Sequence, residues 1–430
     1  MVFASGDWLS IHGDDGNNAH VPVASGVDTL TGTLAWDTGA CELSPGAGMA
    51  LRDGIIYTVA MRDGGNWDPS DDRIWIEARY ASNGSPLWDS PPLDAGNSVS
   101  YSSISGPTID PAGGAIYYNS GRSVQRLNPA DGSVAWSTRL TTSTTTTNVS
   151  LDLINASPAV GGGKVFVETY DDYFGAYRDK LLVALNQSDG SIAWWKNCGG
   201  TGRIRPIYLN DVAGGVVVTE VFDGSTSHGL AAYSADGALV WNHLAAPVAW
   251  STARPVEAPF ICVDGRIYGV SYSGSGTGQL FCVDAATGSL IYKVDSIESD
   301  TAPLLVGDTV YLYGGPFGDA QLVAYRASDG SLLRATTIGG YCFRNAMAAT
   351  DSHIYLTQSD FFGSDTTTDM VIVNLADGSI AARQTATYNG PVMLDAQGNI
   401  YVHCAGGLRA FGSTMPAPSA VSSLAWMGLE

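Results

Sequence analysis

The chain has 430 residues, and its 21 lysines and arginines stand against 42 aspartates and glutamates, which gives a formal net charge of −21 at pH 7. A field of that sign repels nucleic acids and anionic lipid surfaces, so we expect neither as a partner. No run of about 18 apolar residues is present, so we also expect no membrane span.

The composition is typical of an all-β protein. The chain contains 52 glycines, and only 15% of its residues are charged. Many glycines among β-branched and aromatic residues indicate short strands joined by tight turns. The first residues, MVFASGDW, lack the basic and apolar regions of a signal peptide. Either the chain is cytoplasmic or a leader is absent from it.

One pattern recurs along the chain: an apolar strand, a polar turn closed by glycine, and a second strand that ends on an aromatic residue. The clearest copy is LVALNQSDGSIAW at residues 182–194. Glycine accepts the positive φ that such turns require, so each copy predicts a β-hairpin. Further copies occupy residues 76–88, 124–136, 230–241, 280–292, 322–334 and 370–382.

The turn glycines measure the repeat. They are Gly32, Gly84, Gly132, Gly190, Gly237, Gly288, Gly330 and Gly378, spaced 42 to 58 residues apart. Two more strands are predicted upstream of each hairpin. The first follows a proline and is apolar, and the second contains an apolar-aromatic pair such as Ile56 and Tyr57. Such a unit is a four-stranded antiparallel blade, and eight glycines predict eight blades.

The two ends of the chain each carry half of a repeat. TGTLAW at residues 31–36 is a fourth strand without a third strand before it, and LRAF at 408–411 is a third strand without a fourth after it. We therefore predict that the N-terminal strand closes the last blade, which removes the open edges of the ring. The predicted organisation is a lead-in segment at 1–26, a propeller at 27–411 and a tail at 412–430.

The Asp-Gly or Thr-Gly turn followed four residues later by tryptophan resembles the tryptophan-docking motif of quinoprotein alcohol dehydrogenases and their relatives, the eight-bladed propellers with pyrroloquinoline-quinone-like repeats. The stretches GDWLSIHGDDGNN (6–18) and VDTLTGTLAWDTGA (27–40) are also similar to that family. The resemblance implies export to the periplasm or the extracellular space. It also implies that certain rings stack on the neighbouring blade: Trp36, Trp88, Trp136, Trp194, Trp241 and Tyr292.

In this family's topology, the connections between second and third strands, and from each fourth strand to the next blade, emerge on one face of the ring. Those connections are long here and rich in aromatic and basic residues. Loops on a rigid scaffold are where binding residues concentrate, although such rings also pack within their own loops. We expect a ligand surface formed by Trp67, Tyr173, Phe174, Arg203, Arg205, Trp250, Arg254, Phe317, Arg344 and Phe362.

Enzymes of this family hold pyrroloquinoline quinone between a disulfide of adjacent cysteines and a tryptophan, with calcium beside it. The six cysteines of this chain are scattered and none are adjacent. Trp250 as a floor, and Arg254 or Arg344 as a contact to a quinone oxygen, match no motif. The oxygen-rich stretches at 13–18 and 68–72 are explained by turn chemistry rather than by calcium.

We therefore expect no cofactor and a non-catalytic propeller that binds a protein, a glycan or another small ligand on its loop-rich face. The alternative is an alcohol or sugar dehydrogenase dependent on pyrroloquinoline quinone and calcium. Whether the chain is an enzyme stays open, with the balance against catalysis.

Overall fold

The sheet arrangement was determined in a computed structural model that describes residues 7–10, 13–14, 16–24, 26–43, 47–62, 73–93, 105–140, 157–169, 180–199, 206–223, 227–245, 250–252, 259–271, 277–299, 301–315, 319–340, 347–358, 368–386, 388–404, 406–413 and 415. In these residues, 32 strands form eight four-stranded antiparallel sheets, without any helix. The predicted eight-bladed all-β propeller is confirmed. Over the same residues, no helix has the length and apolar character needed to cross a membrane.

The first four blades follow the chain in order. Blade 1 contains β2 (Met49–Arg52), β3 (Ile55–Arg62), β4 (Arg73–Tyr80) and β5 (Pro86–Asp89). Blade 2 contains β6 (Thr108–Ile109), β7 (Ile116–Ser120), β8 (Ser123–Leu127) and β9 (Val134–Arg139). Blade 3 contains β10 (Ala159–Gly161), β11 (Lys164–Glu168), β12 (Leu181–Asn186) and β13 (Ile192–Asn197). Blade 4 contains β14 (Ile207–Leu209), β15 (Val216–Phe222), β16 (His228–Ser234) and β17 (Leu239–Asn242).

The other four blades complete the ring. Blade 5 contains β18 (Ile261–Val263), β19 (Arg266–Val270), β20 (Thr277–Asp284) and β21 (Leu290–Ile297). Blade 6 contains β22 (Leu304–Val306), β23 (Thr309–Gly314), β24 (Gln321–Arg326) and β25 (Leu332–Thr337). Blade 7 contains β26 (Ala348–Ala349), β27 (His353–Thr357), β28 (Thr368–Asn374) and β29 (Ile380–Ala386). Blade 8 joins β30 (Tyr388–Leu394), β31 (Ile400–Cys404) and β32 (Gly407–Phe411) to β1 (Leu34–Asp37).

Blade 8 closes the ring as predicted, because β1 pairs antiparallel with β32. Leu34 lies opposite Phe411 and Trp36 opposite Ala410, so one extra residue bulges from β1. The same bulge occurs in the covalently continuous hairpins, as between β12 and β13, where Leu185 faces Ile192 and Ala184 faces Trp194. Strands from opposite ends of the chain thus reproduce the hairpin geometry of the other blades.

The tryptophan of each early repeat contacts the next blade. Trp136 donates a hydrogen bond from Nε1 to the carbonyl oxygen of Gln187 at 2.9 Å. Gly190 has a φ of 72°, and a Cβ there would lie 2.5 Å from the Trp136 ring. This turn therefore needs glycine both for its conformation and for the close approach of the ring. The equivalent contacts run from Trp36 to Ala81, Trp88 to Pro129, Trp194 to Ala235 and Trp241 to Ala285.

The later blades make a weaker version of this contact. Tyr292 covers Gly330 with its ring, and Arg334 covers Gly378 with its guanidinium group, which also donates to the carbonyl oxygen of Leu375 at 3.1 Å. Between blades 7 and 8 the equivalent residue is Ala382, which has no ring. Among the described residues, no atom lies within 4 Å of a Cβ placed on the matching glycine, Gly32. The outer junction between blades 7 and 8 therefore lacks the side-chain contact that the described residues make at the other outer junctions.

The N-terminal segment, residues 7–24, lies along the inner strands that surround the central channel. Trp8 forms a β-bridge with Leu51 of blade 1, and the Ile109 amide of blade 2 donates to the Leu9 carbonyl. On the opposite side of the ring, Gly16 accepts from the Cys262 amide of blade 5. The chain therefore passes from blade 2 to the opposite side of the ring between Leu9 and Gly16.

After this crossing, the segment follows the inner strands of blades 6 and 7. The side chain of Asn18 exchanges two hydrogen bonds with the backbone of Leu305, at 2.9 and 3.1 Å. The amide of Val21 donates to Ala349, and the Ala349 amide donates to Ala19. Trp8, Ala19 and Val21 belong to the core cluster that also contains buried residues of blades 6, 7, 8 and 1. The segment therefore ties together the blades whose outer contacts are weak.

A buried histidine lies at the junction of blades 8 and 1. His403 of β31 is 1% exposed, and its Nε2 lies 3.3 Å from Thr58 Oγ1 of β3. Burial lowers the pKa of His403 to about 4. Because the ordinary value is about 6.5, the imidazole stays neutral in the folded protein and its protonation favours the unfolded chain.

We predict that His403→Gln makes the ring less sensitive to acid. In the native protein this histidine contributes stability above pH 6.5 that falls as the pH drops toward 4, by about 2 kcal/mol at pH 5. Urea unfolding at pH 7 and pH 5 measures the effect, and the variant should lose less stability between the two values than the native chain. An equal loss of stability between pH 7 and pH 5 in both proteins would contradict a lowered pKa for His403.

Candidate functional site

The candidate face is defined by strand direction. Since each blade is an antiparallel meander, the connections from second to third strands and from fourth strands to the next blade all meet one face of the ring. Nine of the ten predicted ligand residues lie outside the described residues: Trp67, Tyr173, Phe174, Arg203, Arg205, Arg254, Phe317, Arg344 and Phe362. Trp250 is the one that lies within them.

Trp250 packs between blades 4 and 5. Its ring centroid is 4.5 Å from that of His243 and 4.9 Å from that of Phe281. His243 in turn stacks on Trp241 at 4.8 Å. The Nε1 atom of Trp250 is buried, and no hydrogen-bond acceptor reaches it among the described residues. Its ring therefore packs on neighbouring rings of the protein.

His243 extends the contact of Trp241 with the next blade. Its Nδ1 accepts from the Leu230 amide at 3.1 Å, and its Nε2 donates to the Gly288 carbonyl at 2.7 Å. Burial lowers the pKa of His243 to about 4, although the hydrogen bond to Gly288 acts in the opposite direction. The side chain is thus held neutral in a single tautomer, with both ring nitrogens engaged.

The described residues do not assemble a quinone and calcium site. Trp250, the predicted floor for the quinone, already contacts two protein rings. In the described ranges, no group of three or more His, Cys, Asp or Glu side chains could hold a metal ion. In the oxygen-rich stretch at 13–18, Asp14 accepts from the Asn18 amide, and Asn17 donates to the Phe260 carbonyl. Among the described residues, neither Trp250 nor the stretch at 13–18 therefore presents a site that fits this cofactor.

A buried ionic cluster lies directly beneath the candidate face. Glu168 ends β11, Lys180 precedes β12, and Thr219 and Glu220 lie on β15. Lys180 Nζ donates to Glu168 Oε2 at 3.1 Å and to Thr219 Oγ1 at 3.2 Å, and the Thr219 hydroxyl donates to Glu168. Glu220 Oε2 lies 4.0 Å from Lys180 Nζ. The side chains of all three charged residues have no exposed surface.

His228 of β16 extends this cluster within blade 4. Its Nδ1 lies 3.1 Å from Glu220 Oε1, and its ring stacks on Phe222 at 4.3 Å. The backbones of His228 and Thr252 exchange two hydrogen bonds, at 2.9 and 3.0 Å. The cluster therefore fixes the strand ends from which three connections of the candidate face depart: 170–179, 223–227 and the stretch that contains Trp250.

Burial and charge pairing oppose each other in the cluster. Burial raises the pKa of Glu168, although the Lys180 charge and the Thr219 hydrogen bond act to lower it. For Lys180, burial acts to lower the pKa, but the charges of Glu168 and Glu220 prevail and the pKa is raised. Burial also raises the pKa of the nearby Cys198 thiol to about 11. The lysine therefore stays charged, and the thiol stays protonated and unreactive.

The cluster was not predicted from the sequence. A weak signal exists, since a charged residue stands at the end of an apolar run in KVFVE (164–168) and in VVVTE (216–220). Charged residues are almost never fully buried unless they are paired, so two such run ends invite a search for a partner. The partner itself, Lys180, follows a long connection and could not be identified from spacing alone.

The described residues of the N-terminal segment lie on the side of the ring opposite the candidate face. There the N-terminal segment crosses between blades, and Leu9, Ser10 and Asp14 line a small void together with Thr108, Ala159 and Tyr208 of blades 2, 3 and 4.

Comparisons with known proteins agree with this architecture. The family model of the outer membrane protein assembly factor BamB matches residues 20–179, 120–269 and 248–402. The outer membrane protein assembly factor BamB of Yersinia pestis is 24% identical over 329 residues, which is 75% of each chain.

Two solved structures have the same fold. BamB from Moraxella catarrhalis is 18% identical with a TM-score of 0.59, covering 88% of this chain and 97% of that one. The quinohemoprotein alcohol dehydrogenase from Comamonas testosteroni is 12% identical with a TM-score of 0.68, covering 96% and 82%. At these identities the likeness establishes the fold alone. Because the family model extends over most of the chain, from residue 20 to residue 402, the chain belongs to the family of the outer membrane protein assembly factor BamB.

Proposed function

We propose that the chain is an exported, non-catalytic scaffold that binds a protein partner on its loop-rich face and takes part in the assembly of outer membrane proteins. The observation that carries this proposal is the match of the assembly-factor family over residues 20–402. The part in outer membrane assembly is inferred from the relatives of that name. The location is inferred from the strand directions, which bring the long connections to one face of the ring.

Two structural features support a partner on this face. The buried cluster of Glu168, Lys180 and Glu220 fixes the strand ends beneath the connections, so a partner meets loops held on a rigid base. The N-terminal segment contacts the inner strands at the other end of the ring. We propose that the binding residues include Trp67, Tyr173, Phe174, Arg203, Arg205, Arg254, Phe317, Arg344 and Phe362, since aromatic residues and arginine dominate the energetics of protein interfaces. Trp250 would support this surface through its packing between blades 4 and 5.

Site-specific photocrosslinking tests the proposal. A benzoylphenylalanine placed at Phe174, in cells that express the full chain, should crosslink to a protein of the outer membrane assembly process. The matched control carries the same group at Leu87, an exposed residue on the outer strand of blade 1. Crosslinks from position 174 that are absent from position 87 are expected. Equal crosslinking at both positions, or none at 174, would contradict binding on this face.

The dehydrogenase alternative has its own test. Purified protein is mixed with pyrroloquinoline quinone and calcium, and dye-coupled oxidation of primary alcohols and sugars is followed. We expect no turnover above that of the free quinone. Turnover that depends on the protein and on calcium would replace the scaffold by an enzyme.

A further inference from the structure

The outer rim of the ring exposes large apolar side chains in an uneven pattern. Among the described residues, the nine exposed large hydrophobic side chains all lie on the outermost strand of a blade. Seven of them lie on the adjacent blades 4 to 7, and we call these seven the apolar rim. They are Leu239, Val240, Leu290, Ile291, Leu332, Leu333 and Ile380, with exposed fractions between 39% and 64%.

The contacts between blades place these residues along one track. Trp241 follows Val240 and lies against Gly288, which precedes Leu290 by two residues. Tyr292 lies in the same way against Gly330, two residues before Leu332, and Arg334 lies against Gly378, two residues before Ile380. The three exposed pairs and Ile380 are therefore joined from blade to blade, in each case through a side chain that contacts the turn of the next blade.

The apolar rim belongs to strands with a free edge. The strands β21, β25 and β29 are eight, six and seven residues long, and each is the last strand of its sheet. A long edge strand with exposed apolar side chains offers unpaired backbone groups to another chain, and proteins normally blunt such edges. The edge strands of blades 2 and 3 expose less apolar surface. Two residues after the turn glycine they carry Val134 and Ile192, which are half-buried, and alanine follows each of them.

The turns that precede these strands are acidic. Asp329 and Asp377 are exposed, and each accepts hydrogen bonds from the serine two residues later. Asp329 also pairs with Arg326 at 3.4 Å and leaves 55% of its side chain exposed. The hydrogen bond from the Ser331 amide lowers the pKa of Asp329, and the hydrogen bond from the Ser379 hydroxyl lowers the pKa of Asp377. Both carboxylates are therefore ionised in neutral solution, in a chain whose net charge is −21. A ligand of this edge has to satisfy apolar side chains and negative charge together.

We propose that the apolar rim of blades 4 to 7 is a second binding surface, and that its occupant is an extended segment of a protein partner in which apolar residues alternate with lysine or arginine. The segment pairs with the edge strand of one of these blades through backbone hydrogen bonds, while its apolar side chains cover the exposed apolar side chains of that blade and its basic side chains meet the adjacent acidic turn. The surface begins at the face opposite the long connections, so it is separate from the proposed loop-rich site.

A defined peptide tests this proposal on the full chain. A fluorescein-labelled ten-residue peptide of alternating leucine and lysine is titrated with the protein, and its anisotropy is recorded. Two comparison peptides test the two parts of the recognition separately. One alternates leucine with glutamate and lacks the basic residues, and the other alternates serine with lysine and lacks the apolar residues. The rim variant carries Leu290→Thr and Leu332→Thr, and its matched control carries Leu34→Thr and Leu87→Thr on blades 8 and 1. Threonine retains strand propensity, so all of these variants should fold.

We expect the leucine-lysine peptide to bind the native chain and the control variant within about twofold of each other, and the rim variant about tenfold more weakly. The other two peptides should bind at least about tenfold more weakly than the leucine-lysine peptide. Asp329→Asn with Asp377→Asn keeps the turn acceptors and should weaken binding and its dependence on salt.

Three results would overturn the proposal: equal weakening in the rim and control variants, absence of peptide binding, or equal binding of the leucine-glutamate peptide. Two others would assign the surface to another occupant. One is self-association of the native chain in sedimentation that the rim variant loses. The other is binding to phosphatidylcholine vesicles that the rim variant loses.

Discussion

Lys180→Met should destabilise the ring by about 3–5 kcal/mol, because it leaves two buried carboxylates without their cation. Lys180 Nζ contacts Glu168 at 3.1 Å and Thr219 at 3.2 Å, and the side chains of both Lys180 and Glu168 have no exposed surface. Methionine has a similar length but no charge, so packing changes little while the charge of Glu168 is no longer balanced. Equilibrium urea unfolding measures the free energy of unfolding.

The pH dependence identifies the cause of this loss. Without the lysine, the pKa of Glu168 rises further in the folded state, so the destabilisation should grow as the pH rises from 5 to 7. Adding Glu168→Gln to Lys180→Met should recover part of the stability, because the uncompensated charge is removed. Lys164→Met on β11 is the control, since Lys164 is partly exposed, and it should cost less than about 1 kcal/mol. A loss that is independent of pH would mean that packing, rather than charge, explains the effect.

Trp136→Ala should cost about 3 kcal/mol, near the lower end of the range for loss of a core aromatic side chain, because the indole is only partly buried. The indole covers the turn of blade 3 at Gly190 and donates to the Gln187 carbonyl at 2.9 Å. Alanine removes both the ring and the donor at the junction between blades 2 and 3. Denaturant unfolding monitored by circular dichroism measures the change.

Two further variants separate the ring from its hydrogen bond. Trp136→Phe keeps an aromatic ring and should cost about 1–2 kcal/mol, mainly from the Gln187 carbonyl that loses its donor. Arg334→Ala tests the weaker junction of blades 6 and 7, where a partly exposed guanidinium group replaces the ring, and should cost less than Trp136→Ala. A loss below about 1 kcal/mol for Trp136→Ala would show that the ring is not wedged between the blades.

The fold was predictable from the sequence because its main constraint is local. The eight turn glycines all have positive φ, between 71° and 82°, so the residue type at each turn follows directly from the backbone conformation. Half-repeats at the two ends then predict the pairing of β1 with β32, since an unpaired strand edge has to be covered. Turn chemistry and edge pairing together leave few alternative folds for such a chain.

The candidate site was less predictable, because its contacts join distant residues. Glu168 and Thr219 are 51 residues apart, and no spacing rule links them. The path of the N-terminal segment across the channel was also not predicted. Its contacts, such as Asn18 with Leu305, are hydrogen bonds to backbone groups, which leave no pattern in the side chains of the partner strand. Trp250 shows a further limit, since an aromatic residue in a long connection looks the same whether it meets a ligand or a neighbouring ring.

The decline of the docking residue along the chain has a structural counterpart. The five tryptophans from Trp36 to Trp241 join consecutive blades, from the junction of blades 8 and 1 to the junction of blades 4 and 5. Tyr292 and Arg334 make weaker contacts at the next two junctions, and Ala382 has no ring with which to make one. The N-terminal segment makes backbone hydrogen bonds to blades 1, 2, 5 and 7 and side-chain hydrogen bonds from Asn18 to blade 6, so its contacts include the blades whose outer contacts weaken. We infer that the inner segment compensates for the weak outer contacts.

The shared sheet of blade 8 also determines when the protein can finish folding during synthesis. Thr38 and Leu408, which hydrogen-bond across this sheet, are 370 residues apart, so the early strand waits for almost the whole chain to leave the ribosome. Until then the nascent chain is an open arc with two unpaired ends, and such long-range pairing is slow to form. A cell that makes this protein therefore has to keep that arc from aggregating until the final strands emerge.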